Sequence, residues 1–282
     1  MEINGKSIAD YISGLIKKKV KKIRLVTFLV GNSSDQTGFV RIKSQTAKKL
    51  GIDFQFIHFK DTPSFESFAH AIKEAAADPK TTGIIIQQPL PSQLSTDSIY
   101  DYIPDNKEIE GHKRKTPFLP PIGLAILTVF KYIYGKKKLS PELIINIDRD
   151  RKFFKRIFRN KKVVLIGRGI TGGKPVGKTL TEAKINYISL NSQTPDPASY
   201  CRDADVIITA VGQKVLTSEA LKPGAVVINV GLRRENGHFK GDYDDKEIKS
   251  VAGFYTPTPG GIGPIDVIYL YKNLVDAAKL QK

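Results

Sequence analysis

Two runs of alternating strand and helix predict an α/β protein of two α/β domains, the second a Rossmann-type parallel sheet. Three observations carry this. Apolar segments such as IRLVTFLVG (23–31) and GIIIQQ (83–88) alternate with segments whose apolar residues recur at helical spacing. That is the pattern of parallel strands joined by right-handed crossovers. The alternation is interrupted by a charge-dense region between Gly135 and Lys162. It resumes on VVLIGRGITGGKP (163–175), where four apolar residues lead into Gly167, Gly169 and Gly172 at the G-x-G-x-x-G spacing of a dinucleotide-binding turn.

Each element can be justified in order. Residues 23–31 read as a buried strand, and Gln36 to Leu50 as a helix stopped by Gly51. DFQFIHF (53–59) alternates like a second strand, SFESFAHAIKEAAA (64–77) is helical, and residues 83–88 form a third strand. After a proline-rich stretch comes a long apolar helix, GLAILTVFKYIY (123–134), and then a charged linker with one short helix, DRDRKFFKRIFRN. The second unit has strands VVLIG (163–167), INYISL (185–190), DVIITAVG (205–212) and AVVINVG (225–231). An amphipathic helix, GPIDVIYLYKNLVDAAK, comes next with Pro264 in its first turn. The expected division is 1–122 completed by helix 263–282, an interdomain helix and linker over 123–162, and the Rossmann domain over 163–262.

Composition removes several function classes. Cys201 is the single cysteine, which excludes an internal disulfide and fits a reducing compartment. Four scattered histidines (58, 70, 112 and 238) give no metal-ligand spacing, so no metal is expected. No segment approaches the about 20 apolar residues of a membrane span, and MEINGKSIADYI lacks the pattern of a secretion signal, so a cytoplasmic protein is expected. The formal net charge of +17 is large. Its lysines spread along the whole chain without aromatic-interleaved motifs. The expectation is therefore a solvated basic surface that draws small polyanions, with no nucleic-acid partner.

The glycine turn raises the choice of dinucleotide. NAD-binding units carry an acid about 20 residues after the glycines, gripping the ribose 2′-hydroxyl. Here the second strand ends in ISLNSQT, which offers Asn191, Ser192 and Thr194 and no acid. With Arg168 inside the turn, this favours NADP: a guanidinium can pair with a 2′-phosphate and Ser192 can add a hydroxyl. Spacing alone leaves open the alternatives of a surface arginine and a turn serine.

Six segments then stand together: GNSSDQTGFVRIK (31–43), GIIIQQPLP (83–91), KEIEGH (107–112), VVLIGRGITGGKP, ADVIITAVG with LKPGAVVINVG, and TPTPGGIGPID (256–266). In this order, and along nearly the whole chain, they resemble the methylenetetrahydrofolate dehydrogenase/cyclohydrolase family. The resemblance implies a cleft between the domains, NADP as cofactor, a folate substrate and a homodimer. It implies oxidation of 5,10-methylenetetrahydrofolate to the methenyl cation, then hydrolysis to 10-formyltetrahydrofolate. Taken alone, Lys43 reads as a solvated lysine; the family's Tyr-x-x-x-Lys motif falls on Phe39 and Lys43 and implies that Lys43 handles protons. A neighbouring methenyl cation disfavours a second positive charge and so favours the neutral amine. Gln87 would hold that lysine, and Glu110 would accept paired N–H bonds from the pterin edge. Phe39, Pro259, Gly260 and Gly261 would contact substrate. Gly167, Arg168, Gly169, Gly172, Ser192, Gly212 and Asp266 would serve the cofactor.

Departures from the family pattern bear on function. Phe39 keeps an aromatic face but lacks the phenol, and Glu110 is one methylene longer than the usual aspartate. FLPPIG (118–123) lacks a cysteine and a threonine, Gly169 replaces a serine, and Asp266 replaces a threonine. The basic linker before Val163 is longer than the family's usual connection. Three functions are therefore weighed: the bifunctional enzyme, a dehydrogenase with weak hydrolysis, and a non-catalytic basic protein binding nucleic acid. Lys43, Gln87 and an acid at 110 favour the first.

Overall fold

The structure is a computed structural model that describes residues 1–281. The chain begins with α1 (Gly5–Lys17), which buries Ile8, Ile12 and Ile16 along one face. Strand β1 (Arg24–Val30) leads to α2 (Ser34–Leu50), capped by the Ser33 side chain at its start and by left-handed Gly51 at its end. Then come β2 (Asp53–Phe59), α3 (Phe65–Ala77) and β3 (Thr81–Ile86). Next are α4 (Pro121–Tyr134) and α5 (Ile147–Phe158). The remaining elements are β4 (Val163–Ile166), α6 (Gly173–Glu182), β5 (Ile188–Leu190), α7 (Pro197–Arg202), β6 (Val206–Thr209), β7 (Val226–Asn229), β8 (Arg233–Glu235), β9 (His238–Lys240), α8 (Asp245–Ile248), β10 (Phe254–Tyr255) and α9 (Ile262–Leu280).

The chain divides into two compact units. Unit 1 comprises Met1–Ile12 and Ile122–Asp266; unit 2 comprises Ser13–Pro121 and Val267–Lys282. This differs from the expected division in three places, the smallest being residues 263–266, which cluster with unit 1. The first residues of the chain cluster with unit 1, where the Ile3 N–H donates to the Tyr255 carbonyl and the Tyr255 N–H donates to that of Met1. Residues 123–162 are also part of unit 1 rather than a linker, because α5 has an apolar side with somewhere to go. Phe154 and Phe158 are buried, and the Phe158 ring lies 4.8 Å from Phe130 and 5.4 Å from Tyr134 of α4.

Unit 2 holds a parallel sheet in the order β2-β1-β3. Phe28 of central β1 and Phe59 of β2 both meet Phe68 of α3 edge-on. The chain runs from β1 outward to β2 and returns on the other side of β1 to β3. The direction of winding therefore reverses at the carboxyl ends of β1 and β3, which is where open α/β sheets bind ligands. Unit 1 holds a five-stranded parallel sheet, β10-β7-β6-β4-β5, with the same reversal between β4 and β6.

Candidate active site

In unit 2, Lys43 projects from α2 and Gln87 is the first residue after β3. The Lys43 ammonium donates to Gln87 Oε1 at 3.0 Å and to Glu110 Oε1 at 3.4 Å. These side chains are only 13% and 17% exposed for Lys43 and Glu110, so water screens the pair weakly. Gln87 is fixed in turn: its Nε2 donates to the Gln88 carbonyl at 2.9 Å, which leaves Oε1 facing the lysine. The backbone under the cluster is pinned by α9. The Tyr271 hydroxyl donates to the Lys43 carbonyl at 2.5 Å, and Asn273 Nδ2 donates to the carbonyls of Ile109 and Leu119 at 2.9 and 3.0 Å.

Glu108 holds the loop that presents Glu110. Its buried carboxylate accepts the backbone N–H of Glu110 at 2.9 Å and that of Lys113 at 3.3 Å. Burial pushes the Glu108 carboxyl above the usual range. On the far side of Glu110, His112 Nε2 stands 3.8 Å from Glu110 Oε2, and its ring stacks on Tyr100 with centroids 4.6 Å apart. Burial, with Glu110 nearby, raises the Tyr100 hydroxyl well beyond the ordinary phenol range, so it stays protonated; it accepts from Gln88 Nε2 at 2.8 Å. Phe39 sits on α2 one turn before Lys43, half-buried.

In unit 1 the glycine turn after β4 meets the turn after β6 at the sheet's reversal point. Gly167 has φ of 108°, and a Cβ there would lie 2.3 Å from the Ala210 carbonyl oxygen. Gly172 faces the Ala210 side chain, whereas Gly169 has open space around it. The turn can thus take a pyrophosphate close to its backbone at the start of α6. Gly212 lies opposite, its N–H given to buried Asp242 at 2.8 Å beside that of Val211, also at 2.8 Å. Arg168 reaches the end of β5, donating to Ser189 Oγ at 3.1 Å and to its carbonyl at 3.0 Å. Ser192 is exposed in the turn after that strand. Pro259, Gly260 and Gly261 lie in the turn before α9, closed by the Gly261 N–H on the Pro257 carbonyl at 2.9 Å, and Asp266 is in the first part of α9. The expected residues thus fall into two groups, one in each unit. Among the described residues no His, Cys, Asp and Glu cluster could hold a metal ion.

Residues 3–110 match the tetrahydrofolate dehydrogenase/cyclohydrolase catalytic domain, and residues 151–282 match the NAD(P)-binding domain of the same family. The chain belongs to the tetrahydrofolate dehydrogenase/cyclohydrolase family. It is 32% identical to the bifunctional protein FolD of Staphylococcus aureus (strain bovine RF122 / ET3-1), covering 99% of this chain and 97% of that one. Among solved structures it resembles the bifunctional FolD of Campylobacter jejuni, with 25% identity and a TM-score of 0.86 over 100% of this chain and 99% of that one. It also resembles a 5,10-methylenetetrahydrofolate dehydrogenase of the silkworm Bombyx mori, with 26% identity and a TM-score of 0.83 over 99% and 98%.

Within this member of the family, sequence reasoning missed four supporting residues. Glu108 sits in the quoted KEIEGH, yet only its burial reveals an anchor. His112 was visible as a histidine without metal spacing, and its place beside Glu110 depends on the stack with Tyr100. Tyr271 and Asp242 carried no readable signal, because their partners are main-chain groups far away in the sequence.

Proposed function

We propose that the chain oxidises 5,10-methylenetetrahydrofolate with NADP and hydrolyses the methenyl product to 10-formyltetrahydrofolate. The observation that carries this reading is the Lys43 ammonium held between Gln87 and Glu110. The pterin edge presents N–H donors, and Glu110 can accept a pair of them. Engaging them draws the carboxylate away from Lys43. Lys43 stays bonded to Gln87, and a free amine at that place is what hydrolysis of the methenyl cation needs. That amine can take a proton from the water attacking the methenyl carbon, giving the hydrated adduct, and return it as the carbon–nitrogen bond opens.

The cradle around Gly167, Gly172 and Gly212 fits a dinucleotide, which when bound supplies the acceptor for the substrate's hydride. Arg168 stands at the end of β5, where a ribose 2′ substituent is read, and no acid is present within ISLNSQT. This supports NADP over NAD. The reading extends to a homodimer in the cytoplasm that supplies formyl units for purine biosynthesis, as the sequence resemblance implies.

The test is Lys43→Met with both half-reactions followed on one sample. Methenyl hydrolysis should fall by about 10²–10⁴-fold, while NADP still binds, since every residue of the cradle lies in unit 1. Hydrolysis at the parent rate would sink the assignment of Lys43.

A further inference from the structure

Folding brings Lys184 beside the basic stretch of α5 on one part of unit 1. Helix α5 and its C-cap residue carry Lys152, Lys155, Arg156 and Arg159 at spacings of three and four residues, all exposed and sharing one face. With Arg151 and Lys184 they line an open groove of about 1360 Å³ that has no carboxylate in its walls. Arg151 is partly satisfied, by Asp148 at 3.4 Å and by the Glu182 carbonyl at 3.1 Å. Among the described residues none of the other five has an acidic partner. Like charges crowded in this way repel one another, and an anion of matching length relieves that repulsion.

Size and lining decide among anions. From Lys152 to Arg159 the helix runs about 10 Å, longer than one phosphate group can serve. A second copy of the chain would bring the same cations to the same face. Tyr187 also lines the groove, half-buried, with its hydroxyl end resting over Gly177 of α6, where a Cβ would lie 2.5 Å from Oη. A cationic track beside an aromatic ring is the arrangement that holds a single-stranded backbone while a base stacks. Lys184 adds a cation from left-handed backbone (φ 58°), at the position after α6 where glycine is the favoured residue.

We propose that this groove binds the phosphate backbone of a single-stranded nucleic acid, with Tyr187 as the stacking surface. The expectation of no nucleic-acid partner rested on the spread of lysines in sequence; it overlooked that residue 184 and residues 151–159 fold together.

The experiment is fluorescence anisotropy of a labelled oligothymidylate titrated with the full chain at several salt concentrations. Saturable binding should weaken with salt, with a log–log slope of about −0.7 per phosphate contact. Replacing Lys152, Lys155, Arg156 and Arg159 together by Gln should weaken binding by at least about tenfold and flatten that slope by about three units. Lys184→Gly relieves the left-handed backbone, so it should fold at least as well as the parent while binding several-fold more weakly. Tyr187→Leu should weaken binding by about fivefold or more. The dehydrogenase rate of each variant, expected unchanged, reports that it has folded. The proposal is overturned if the parent shows no saturable binding at low salt, or if the four-Gln variant binds like the parent. It is equally overturned if inorganic polyphosphate displaces the oligonucleotide and Tyr187→Leu binds unchanged, for the groove then reads phosphate chains alone.

Discussion

Phe39 precedes Lys43 by four residues on α2, one turn away on the same face. If the ring there serves by stacking, Phe39→Tyr should leave both activities within a few-fold of the parent. A phenol that relays protons would instead raise methenyl hydrolysis by about 10²-fold or more, with the dehydrogenase rate unchanged. Stacking is the expected result, because Lys43 and Gln87 already form a proton-handling pair without a phenol. The opposite result would mean that the parent is chiefly a dehydrogenase. Arg168 makes a second prediction at this scale. Arg168→Ala should weaken NADP by about 1.5–3 kcal/mol and leave NAD nearly unchanged, read by titrating each nucleotide; equal losses would show that Arg168 does not read the 2′-phosphate. Residues of this kind were legible because they sit in short contiguous motifs. Glu110 shows the limit. Its place was visible in KEIEGH, but its 3.4 Å contact with Lys43 spans 67 positions of sequence that no spacing encodes.

At the scale of elements, the strands and helices that bury one whole face were readable from periodicity. Strand β2 and helix α2 match the expected segments closely, down to Gly51 as the stop. The hairpin of β8 and β9 was missed, although Asn236 and Gly237 both adopt positive φ in its turn. Its strands are three residues each, too short to display an alternation. Helix α5 was visible, yet its docking was not, because its anchor is electrostatic as well as aromatic. The buried Asp150 carboxylate accepts Lys131 Nζ and Arg149 Nε, each at 2.7 Å, and the Asn146 N–H at 3.0 Å. Burial alone would raise its pKa, but the bonds from Arg149 and Lys131 outweigh it and hold the carboxyl below the ordinary value of 3.8. Because the folded value is the lower one, this stabilisation is present above about pH 4 and is lost as the pH falls through the folded value. Asp150→Asn should cost about 2–4 kcal/mol, since it leaves Lys131 without its counter-charge. It should also reduce the loss of stability on acidification below about pH 4. Thermal melts at neutral and acid pH check both; an unchanged midpoint at neutral pH would remove the anchor from the account of α5.

For the whole molecule, the two-unit α/β architecture was legible in the repeated alternation of strand and helix. The alternation could not give which residues join which unit. Helices α1 and α9 each contribute to both, so neither unit is one continuous stretch of chain. Periodicity reports only that a helix has an apolar face, and says nothing of which core receives it. The discontinuity has a temporal side. Ribosomes release a chain in order, and every piece of unit 1 has emerged once Asp266 is out, whereas unit 2 still awaits the segment that begins at Val267. Those late residues include Tyr271 and Asn273, which pin the backbone beneath Lys43 and Glu110. A chain that stops after Asp266 contains every residue of the dinucleotide cradle and lacks Tyr271 and Asn273. The segment that holds the backbone beneath the reactive lysine thus leaves the ribosome only after the whole of unit 1.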